Sequence, residues 1–219
     1  MSAATPPSLA LPDSLQSALQ WFYQSWGHQA VIAGGTVWFD GGSFSSISIP
    51  TAISPVIEDR QVRSLLNQTR KLAAIYRTHQ PDGIPVALDT MRDKSYALGH
   101  LQRQFRQQVR SASTRLEVRE CTWEEWKTAA RRCDHETLSR RTPRLRGDHP
   151  LLTASRREQV VTAARAVPSL RLHACLWDEE IVAYLVHVTL GTICEGLMSH
   201  RCDDSHNSAA RHAAHLLYY

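Results

Sequence analysis

The sequence lacks an apolar run long enough to cross a membrane as a helix. Its longest strongly apolar stretch, residues 181–190, is about half of the roughly 20 residues that a membrane-spanning helix needs. The first residues, MSAATPPSLALPDSL, also lack the basic start and apolar block of a secretion signal. We therefore expect a protein without a membrane span or a membrane partner.

Cysteine is too scarce and too scattered for a disulfide framework. The five cysteines are odd in number, lie far apart in the chain and are mostly flanked by apolar residues. Reduced thiols in such surroundings are typical of proteins from reducing compartments. The sequence thus predicts a cytoplasmic protein without structural disulfides.

A recognisable metal module is missing too, although the C-terminal segment is rich in histidine. Its potential ligands are His200, Cys202, Asp203, His206, His212 and His215. Cys202 has no cysteine nearby, and the spacing matches no zinc module. Solvated histidines at a helix start and on its surface explain the pattern better, so we predict no metal site.

Several catalytic and nucleic-acid-binding signatures are absent as well. The chain shows no Ser-His-Asp or Cys-His set, no glycine-rich nucleotide loop and no paired-carboxylate motif. It shows no solenoid repeat, helix-turn-helix, zinc finger or aromatic RNA-binding motif. Function must therefore be inferred from the order of elements and from single residues.

Positive charge is present, but it is concentrated in one part of the chain. The formal net charge is +4, whereas residues 101–171 hold 16 Lys and Arg against 8 Asp and Glu, which gives this segment +8. A basic segment of this kind favours an anionic partner such as RNA, DNA, tRNA or a nucleotide cofactor. Solvated helical faces would produce the same pattern, and the sequence leaves both interpretations open.

The N-terminal half predicts alternating helices and strands after a flexible tail at residues 1–13. Apolar spacing predicts a helix that starts at Asp13 or Ser14 and stops at Gly27, then two β-rich runs joined by residues 40–42. Further predicted elements are a long helix over 57–79, a strand over 84–88 and a helix with an arginine stripe over 94–111.

The C-terminal half predicts a strand, two helices and then three strands in close succession. Thr122 and Glu125 have the capping-box spacing that starts a helix, here predicted to run to Ser139. The other predicted elements are a strand over 116–121, a helix over 153–166, strands over 170–177, 181–190 and 192–199, and a last helix from about 208. Short connectors make the three strands an antiparallel meander.

These elements predict a mixed α/β (α+β) fold whose sheet is largely antiparallel and flanked by helices. The run LHACLWDEEIVAYLVHVTLGTICEGLMSHRCDD resembles the central meander of Fem-type and related GNAT-like acyltransferases. The segments LQRQFRQQVRSAST and EVRECTWEEW resemble the helix and strand that precede this meander. On this resemblance, residues 114–219 form an incomplete GNAT-like domain, and 14–113 form an N-terminal α/β unit, for which a degenerate copy of the same domain is one interpretation.

The resemblance implies transfer of an acyl group from acyl-CoA, such as acetyl-CoA, or from an aminoacyl-tRNA to an amine. The donor would lie beside the fourth strand of the domain, 192–199. Ser205, Asn207 and Ser208 would supply a helix start for an anionic group of the donor. The family's fifth strand is not found, so we expect a truncated chain, or one completed by a partner chain or a second copy.

A base for the incoming amine would lie on the meander, where the candidates are Tyr184, His187 and Glu195. Strand parity places His187 on one face with Ile181, and Tyr184 on the other. A single histidine or tyrosine in an apolar strand is more often a hydrogen-bonded core residue. Glu195 in an apolar strand is the more unusual residue.

Two classes of function remain open at this point. The first is an N-acyltransferase, either active or inactivated by its missing elements. The second is a non-catalytic adaptor that binds RNA or DNA through residues 101–171.

Overall fold

The computed structural model describes residues 11–41, 44–51, 53–78, 97–141, 150–191 and 193–202, together with 213 and 217. The chain forms two compact units. The first comprises Met1–Leu88 with Thr162–Val167, and the second comprises Asp89–Val161 with Pro168–Tyr219. The predicted strand over 84–88 lies outside the described residues, as does the last predicted helix apart from helical positions 213 and 217.

In its described part, the first unit contains two complete helices and a four-stranded sheet in the order β1-β2-β3-β4. The elements are α1 (Asp13–Ser25), β1 (Ala30–Ala33), β2 (Thr36–Asp40), β3 (Ser45–Ile49), α2 (Asp59–Thr69) and β4 (Ala73–Ile75). Phe22 and Tyr23 of α1 are buried, as are Trp38 of β2 and Leu65 of α2. The apolar stripe that predicted α1 is therefore its core face.

The first predicted β-rich run, residues 30–39, is itself a hairpin rather than one strand. Gly34 and Gly35 have φ of 58° and 74° and form a two-residue turn between β1 and β2. Two consecutive positive φ angles are the requirement of a type I′ hairpin turn, which glycine meets without strain. The sheet thus has one more strand here than the sequence predicted.

The predicted helix over 57–79 is wrong in its second half. α2 ends at Thr69, and the next residue, Arg70, caps it with a left-handed φ of 55°. The Lys71 amide donates to Leu66 O at 3.1 Å across this end of the helix. The chain then enters β4, which pairs in parallel with β3. Pairing with an existing sheet edge overrides the helical spacing of the apolar residues here.

The second unit contains a four-stranded antiparallel sheet in the order β5-β6-β7-β8 and four helices in its described part. The strands are β5 (Glu117–Glu120), β6 (Leu170–Trp177), β7 (Glu180–Leu190) and β8 (Ile193–Arg201). The helices are α3 (Arg103–Ser113), α4 (Trp123–Ala129), α5 (Arg131–Arg141) and α6 (Ala154–Arg165), whose residues from Thr162 belong to the first unit. This arrangement confirms the predicted mixed fold with a largely antiparallel sheet flanked by helices.

The helix predicted from Thr122 to Ser139 starts as expected but is divided in two. The Thr122 Oγ1 accepts from the Glu125 amide at 3.2 Å, and Glu125 Oε2 accepts from the Thr122 amide at 2.7 Å, which completes the capping box. The helix breaks at Ala130, where ψ is 2°. A second helix, α5, begins directly after this break. Its residues Cys133 and Asp134 contact β7 and β8.

Two β-bulges interrupt the ladders of the second sheet. The first bulge is on β7. Cys175 and Leu176 of β6 are consecutive but pair with Ala183 and Ile181 of β7, so Val182 is an extra residue. Since a bulge shifts the alternation by one residue, Ile181 lies on the face of Tyr184, and the predicted grouping of Ile181 with His187 is wrong. The amide of Cys202 bonds Val182 O at 2.8 Å and so uses a carbonyl at this bulge.

The second bulge lies on β8, which is the edge strand of the sheet in the described part of the chain. Val186 and His187 are consecutive on β7 but pair with Met198 and Gly196, so Leu197 is the extra residue. Bulges bend the strand and leave backbone groups outside the ladder.

Helices α4 and α5 pack on the face of the sheet that carries Tyr184, and α3 packs on the other. The α3 contact is a cluster in which Ala112 and Leu116 meet Cys175 and Ala183. Among the described residues, no helix is both long and apolar enough to span a membrane. The predicted helix over 94–111 begins only at Arg103 within the described range, after a 3₁₀ turn at Leu98–His100.

Candidate functional site

The carboxylate of Asp134 lies at the centre of a fully buried polar cluster in the second unit. Its Oδ1 accepts hydrogen bonds from the Tyr184 hydroxyl and from His200 Nδ1, the latter at 2.7 Å. Its Oδ2 accepts from Arg157 Nη1. Asp134 and Tyr184 are 0% exposed, Arg157 2% and His200 5%. We call these four residues the buried cluster.

The Arg157 guanidinium has partners on every side. Its Nε donates to Lys127 O at 2.7 Å and its Nη2 to Trp126 O at 2.5 Å. Its central carbon lies 4.1 Å from the centre of the Trp126 ring, a cation–π contact. A buried charge is tolerated only with such complete pairing, and Arg157 and Asp134 supply it for each other.

The predicted catalytic residue Tyr184 thus lies inside the protein. Burial, followed by the charge of Asp134, holds the pKa of the Tyr184 hydroxyl well above its usual range. The hydroxyl therefore stays protonated and acts as a donor to Asp134. Its position is that of the hydrogen-bonded core residue that the sequence left open as the alternative.

Asp134 and Arg157 were not among the candidate residues of the sequence, and His200 was considered only as a potential metal ligand. A signal existed, because Asp134 falls on the helical stripe of Trp126 and Ala130. Arg157 likewise falls on the stripe of the buried Val160 and Val161. A charged residue on an apolar stripe requires a buried partner. The sequence does not tell which partner, since Asp134 and His200 are 66 residues apart.

A second polar group occupies the opposite face of the same sheet. It consists of Glu120, Arg171, His173 and His187, which we call the open-face cluster. Arg171 Nε lies 3.4 Å from Glu120 Oε1, and the two histidine rings stack with centres 5.0 Å apart. Glu120 and Arg171 are exposed, and the histidines are half-buried.

His187 is the member of this cluster that meets the bulge of β8. Its Cα pairs across the ladder with Gly196, which is exposed. Burial first, and the charge of His173 second, hold the pKa of His187 below its ordinary value. At neutral pH the imidazole is uncharged, which is the form that can accept a proton.

Glu195 lies next to Gly196 but pairs with Val188, so its side chain is on the Tyr184 face of the sheet. It is half-buried. The structure therefore separates the predicted catalytic residues: Glu195 and Tyr184 share one face, and His187 is on the other. The predicted donor-binding residues Ser205, Asn207 and Ser208 lie outside the described residues.

Within the described ranges, no group of three or more His, Cys, Asp or Glu side chains is placed to hold a metal ion. An open groove of about 580 Å³ lies beside α4 and α5. Arg132, one of its lining residues, is bound by Glu136 at 2.9 Å. Of the two arginines that line the groove, Arg131 and Arg132, the second is thus already paired with a carboxylate.

No protein-family model matches the sequence, and no curated protein matches it. Among solved structures, a conserved protein of unknown function from Bacteroides thetaiotaomicron is similar, with a TM-score of 0.46 and 13% identity over 94% of this chain and 76% of that chain. The C-terminal DUF2156 domain of a protein described as a lysylphosphatidylglycerol synthetase from Agrobacterium fabrum is also similar. Its TM-score is 0.46, with 12% identity over 94% of this chain and 71% of that chain. Similarity at this level does not indicate a function.

Proposed function

We propose that this chain is a GNAT-like acyltransferase that holds an acyl donor, acyl-CoA or an aminoacyl-tRNA, along the outer edge of β8. The observation that carries the proposal is the bulge at Leu197, next to Gly196, which pairs across the ladder with His187, whose pKa is lowered. The order of elements from β5 to β8 agrees with the sequence resemblance to Fem-type and related GNAT-like proteins.

The edge of β8 has the chemistry to bind an extended donor arm. Within the described residues, β8 is the edge strand of its sheet, so a row of its backbone groups faces away from β7, and the bulge turns further backbone groups out of the ladder. The pantetheine arm of CoA carries two amides that can bond to such a row, as an added strand does. Gly196 is exposed and has no side chain, so a ligand can approach the backbone closely there.

His187 is placed to act as the base. The acceptor amine must lose a proton as its nitrogen attacks the acyl carbonyl, forming the C–N bond. The proton would pass to the uncharged His187 and from there to the leaving sulfur or oxygen, so that the C–S or C–O bond of the donor breaks and a thiol or hydroxyl is released. Glu195 remains the second candidate, on the other face of the strand.

Donor binding is tested first. We expect acetyl-CoA or an aminoacyl-tRNA to raise the melting temperature and to slow hydrogen exchange of amides 193–201, because a ligand bound only by the native state stabilises it. ADP, which has the pyrophosphate but no acyl arm, is the control and should not protect β8. If neither donor raises the melting temperature or protects these amides, the proposal is wrong.

The base is tested with a pair of histidine variants. We expect His187→Gln to retain donor binding and to lower the transfer rate about 100-fold. The matched variant His173→Gln removes a charge that lowers the pKa of His187, so the acid limb of its pH–rate profile should move to higher pH. If His187→Gln and His173→Gln lower the transfer rate equally, and the acid limb does not move in His173→Gln, His187 is not the base.

Nucleic-acid binding through residues 101–171 is the second candidate function. The observation in its favour is α3, where Arg103 and Arg110 are exposed. Arg157 of the same segment is buried against Asp134 and cannot contribute. If the function is RNA or DNA binding, affinity should fall steeply with salt, and Arg103→Gln should reduce the salt slope by about 1. A flat salt dependence would exclude it.

A further inference from the structure

Two cysteines meet in the core of the second unit, beside the buried cluster. Cys133 of α5 and Cys202, which directly follows β8, place their sulfur atoms 3.2 Å apart. They are 0% and 1% exposed. Cys133 Sγ also lies 3.2 Å from Ile181 O, and the Cys202 amide bonds Val182 O, so both residues are anchored to the start of β7.

The contact is specific to this pair. All five cysteines are free thiols, but the other two buried ones have partners of a different kind: Cys175 bonds Ala213 O at 3.3 Å, and Cys121 accepts from Arg119 Nη1 at 3.3 Å. Cys194 is exposed. Among the described residues, only Cys133 and Cys202 bring their sulfur atoms into contact.

We propose that Cys133 and Cys202 form a site of oxidative modification, a reversible disulfide that joins α5 to the end of β8. A disulfide needs the sulfur atoms at about 2.05 Å, so each has to move by roughly half an ångström from its present position. The inference does not depend on the proposed acyltransferase function.

The reaction balances with a peroxide as oxidant. One thiolate attacks a peroxide oxygen, the O–O bond breaks, and a sulfenic acid and water result. The second sulfur attacks the sulfenic sulfur, the S–S bond forms, and the S–O bond breaks to release a second water. The two thiols lose two electrons and two protons in all, and hydrogen peroxide takes up both.

Burial of the two thiols limits the rate of their oxidation. Hydrogen bonding to Cys202 and burial raise the pKa of the Cys133 thiol, so it keeps its proton in the closed structure. Oxidation therefore requires local opening, which makes the disulfide slow to form and, once closed, shielded from reductants. The cross-link spans the same contact as the Asp134–His200 hydrogen bond, since Asp134 follows Cys133 and His200 lies two residues before Cys202.

Peptide mapping of the full chain tests the proposal directly. Arg132 and Arg201 precede the two cysteines, so trypsin releases two peptides that each begin with one of them. After treatment of the reduced protein with hydrogen peroxide, we expect these peptides to be joined, two hydrogen atoms lighter than their sum, and to separate on reduction. If both remain thiols, oxidise singly to sulfinic acids or join other cysteines, the proposal is wrong.

A stability measurement provides an independent check. In a Cys194→Ser background, which prevents links between molecules, peroxide should raise the melting temperature by roughly 5–10 °C, because the bond closes a long loop in the unfolded chain. Cys175→Ala, the matched buried control, should retain this rise, whereas Cys133→Ala should lose it. A rise that persists in Cys133→Ala would overturn the assignment.

Discussion

The two faces of the second sheet carry the same side-chain chemistry in opposite surroundings. The buried cluster has an acid, an arginine, a histidine and a tyrosine, all at most 5% exposed. The open-face cluster has an acid, an arginine and two histidines, all exposed or half-buried. Each acid–arginine pair is an ion pair, Asp134 with Arg157 and Glu120 with Arg171.

The difference shows how burial changes the behaviour of chemically similar ionisable groups. On the covered face, each charge must have its partners, and loss of one leaves the other uncompensated. On the open face, water replaces a lost partner, so the groups are free to change protonation or to bind something else. Stability should therefore reside in the first cluster and reactivity in the second.

The largest expected effect comes from removing the buried cation. Arg157→Met should lower the free energy of unfolding by about 3–5 kcal/mol, because Asp134 would remain buried without a counter-charge. The matched open-face variant Arg171→Met should change it by less than about 0.5 kcal/mol. Urea denaturation of both variants measures the contrast, and similar losses would break the comparison.

A smaller loss is expected from the tyrosine hydroxyl. Tyr184→Phe removes one of the donors to Asp134 and leaves the ring against Trp126, so we expect a loss of about 1–2 kcal/mol. Acyl transfer, if present, should keep its pH profile. A large change in that profile would instead indicate that Tyr184 takes part in the reaction.

Glu125 shows how hydrogen-bonding partners shift the pKa of a carboxyl group that is not buried. Its side chain is 40% exposed, yet hydrogen bonds from Arg119 first, and from Thr122 next, lower its pKa to about 2. We expect Glu125→Ala to cost about 1 kcal/mol, as loss of a capping box does. Because the folded pKa lies below the ordinary value of 4.5, this stabilisation is present above pH 4.5 and is lost as the pH falls toward 2.

Acid titration of the wild type and Glu125→Ala, followed by circular dichroism, measures that window. The plots of stability against pH for the wild type and the variant should converge as the pH approaches 2. Glu117, which lies 3.9 Å from Arg119 and is largely exposed, offers the control: Glu117→Ala should leave the curve nearly unchanged.

The smallest expected effect is the titration of His187. Its folded pKa lies below the ordinary value of 6.5, so the unfolded chain takes up the proton first as the pH falls. Stability should therefore decrease slightly as the pH drops below about 6.5. His187→Gln should flatten the decrease, measured by denaturation at several pH values, whereas a steeper decrease in this variant would contradict the sign.

Local signals in the sequence predicted much of the second unit. β6 was predicted over its observed range, 170–177, and the capping box of Thr122 located the start of α4. These features depend on neighbours in sequence: alternation for the strand and hydrogen bonds three residues apart for the cap. The mixed, largely antiparallel fold followed from them.

Features that depend on distant pairing were not predictable in the same way. β4 has the apolar spacing of a helix and becomes a strand only because the edge of β3 is available. The partners of Asp134 come from α6, β7 and β8 and converge only in the folded chain. Strand parity failed at Ile181 because nothing local marks Val182 as an extra residue.

The bulges at Val182 and Leu197 also affect how this chain should be aligned with others. Each bulge is one residue inserted into a pattern of period two, so a relative without it would differ by a single-residue gap in the middle of a strand. An alignment that penalises gaps within strands would place residues 198–201 of β8 on the wrong face. A deletion of Leu197 would remove the extra residue, so Gly196 and Met198 would become neighbours and the side chains of β8 would keep their faces.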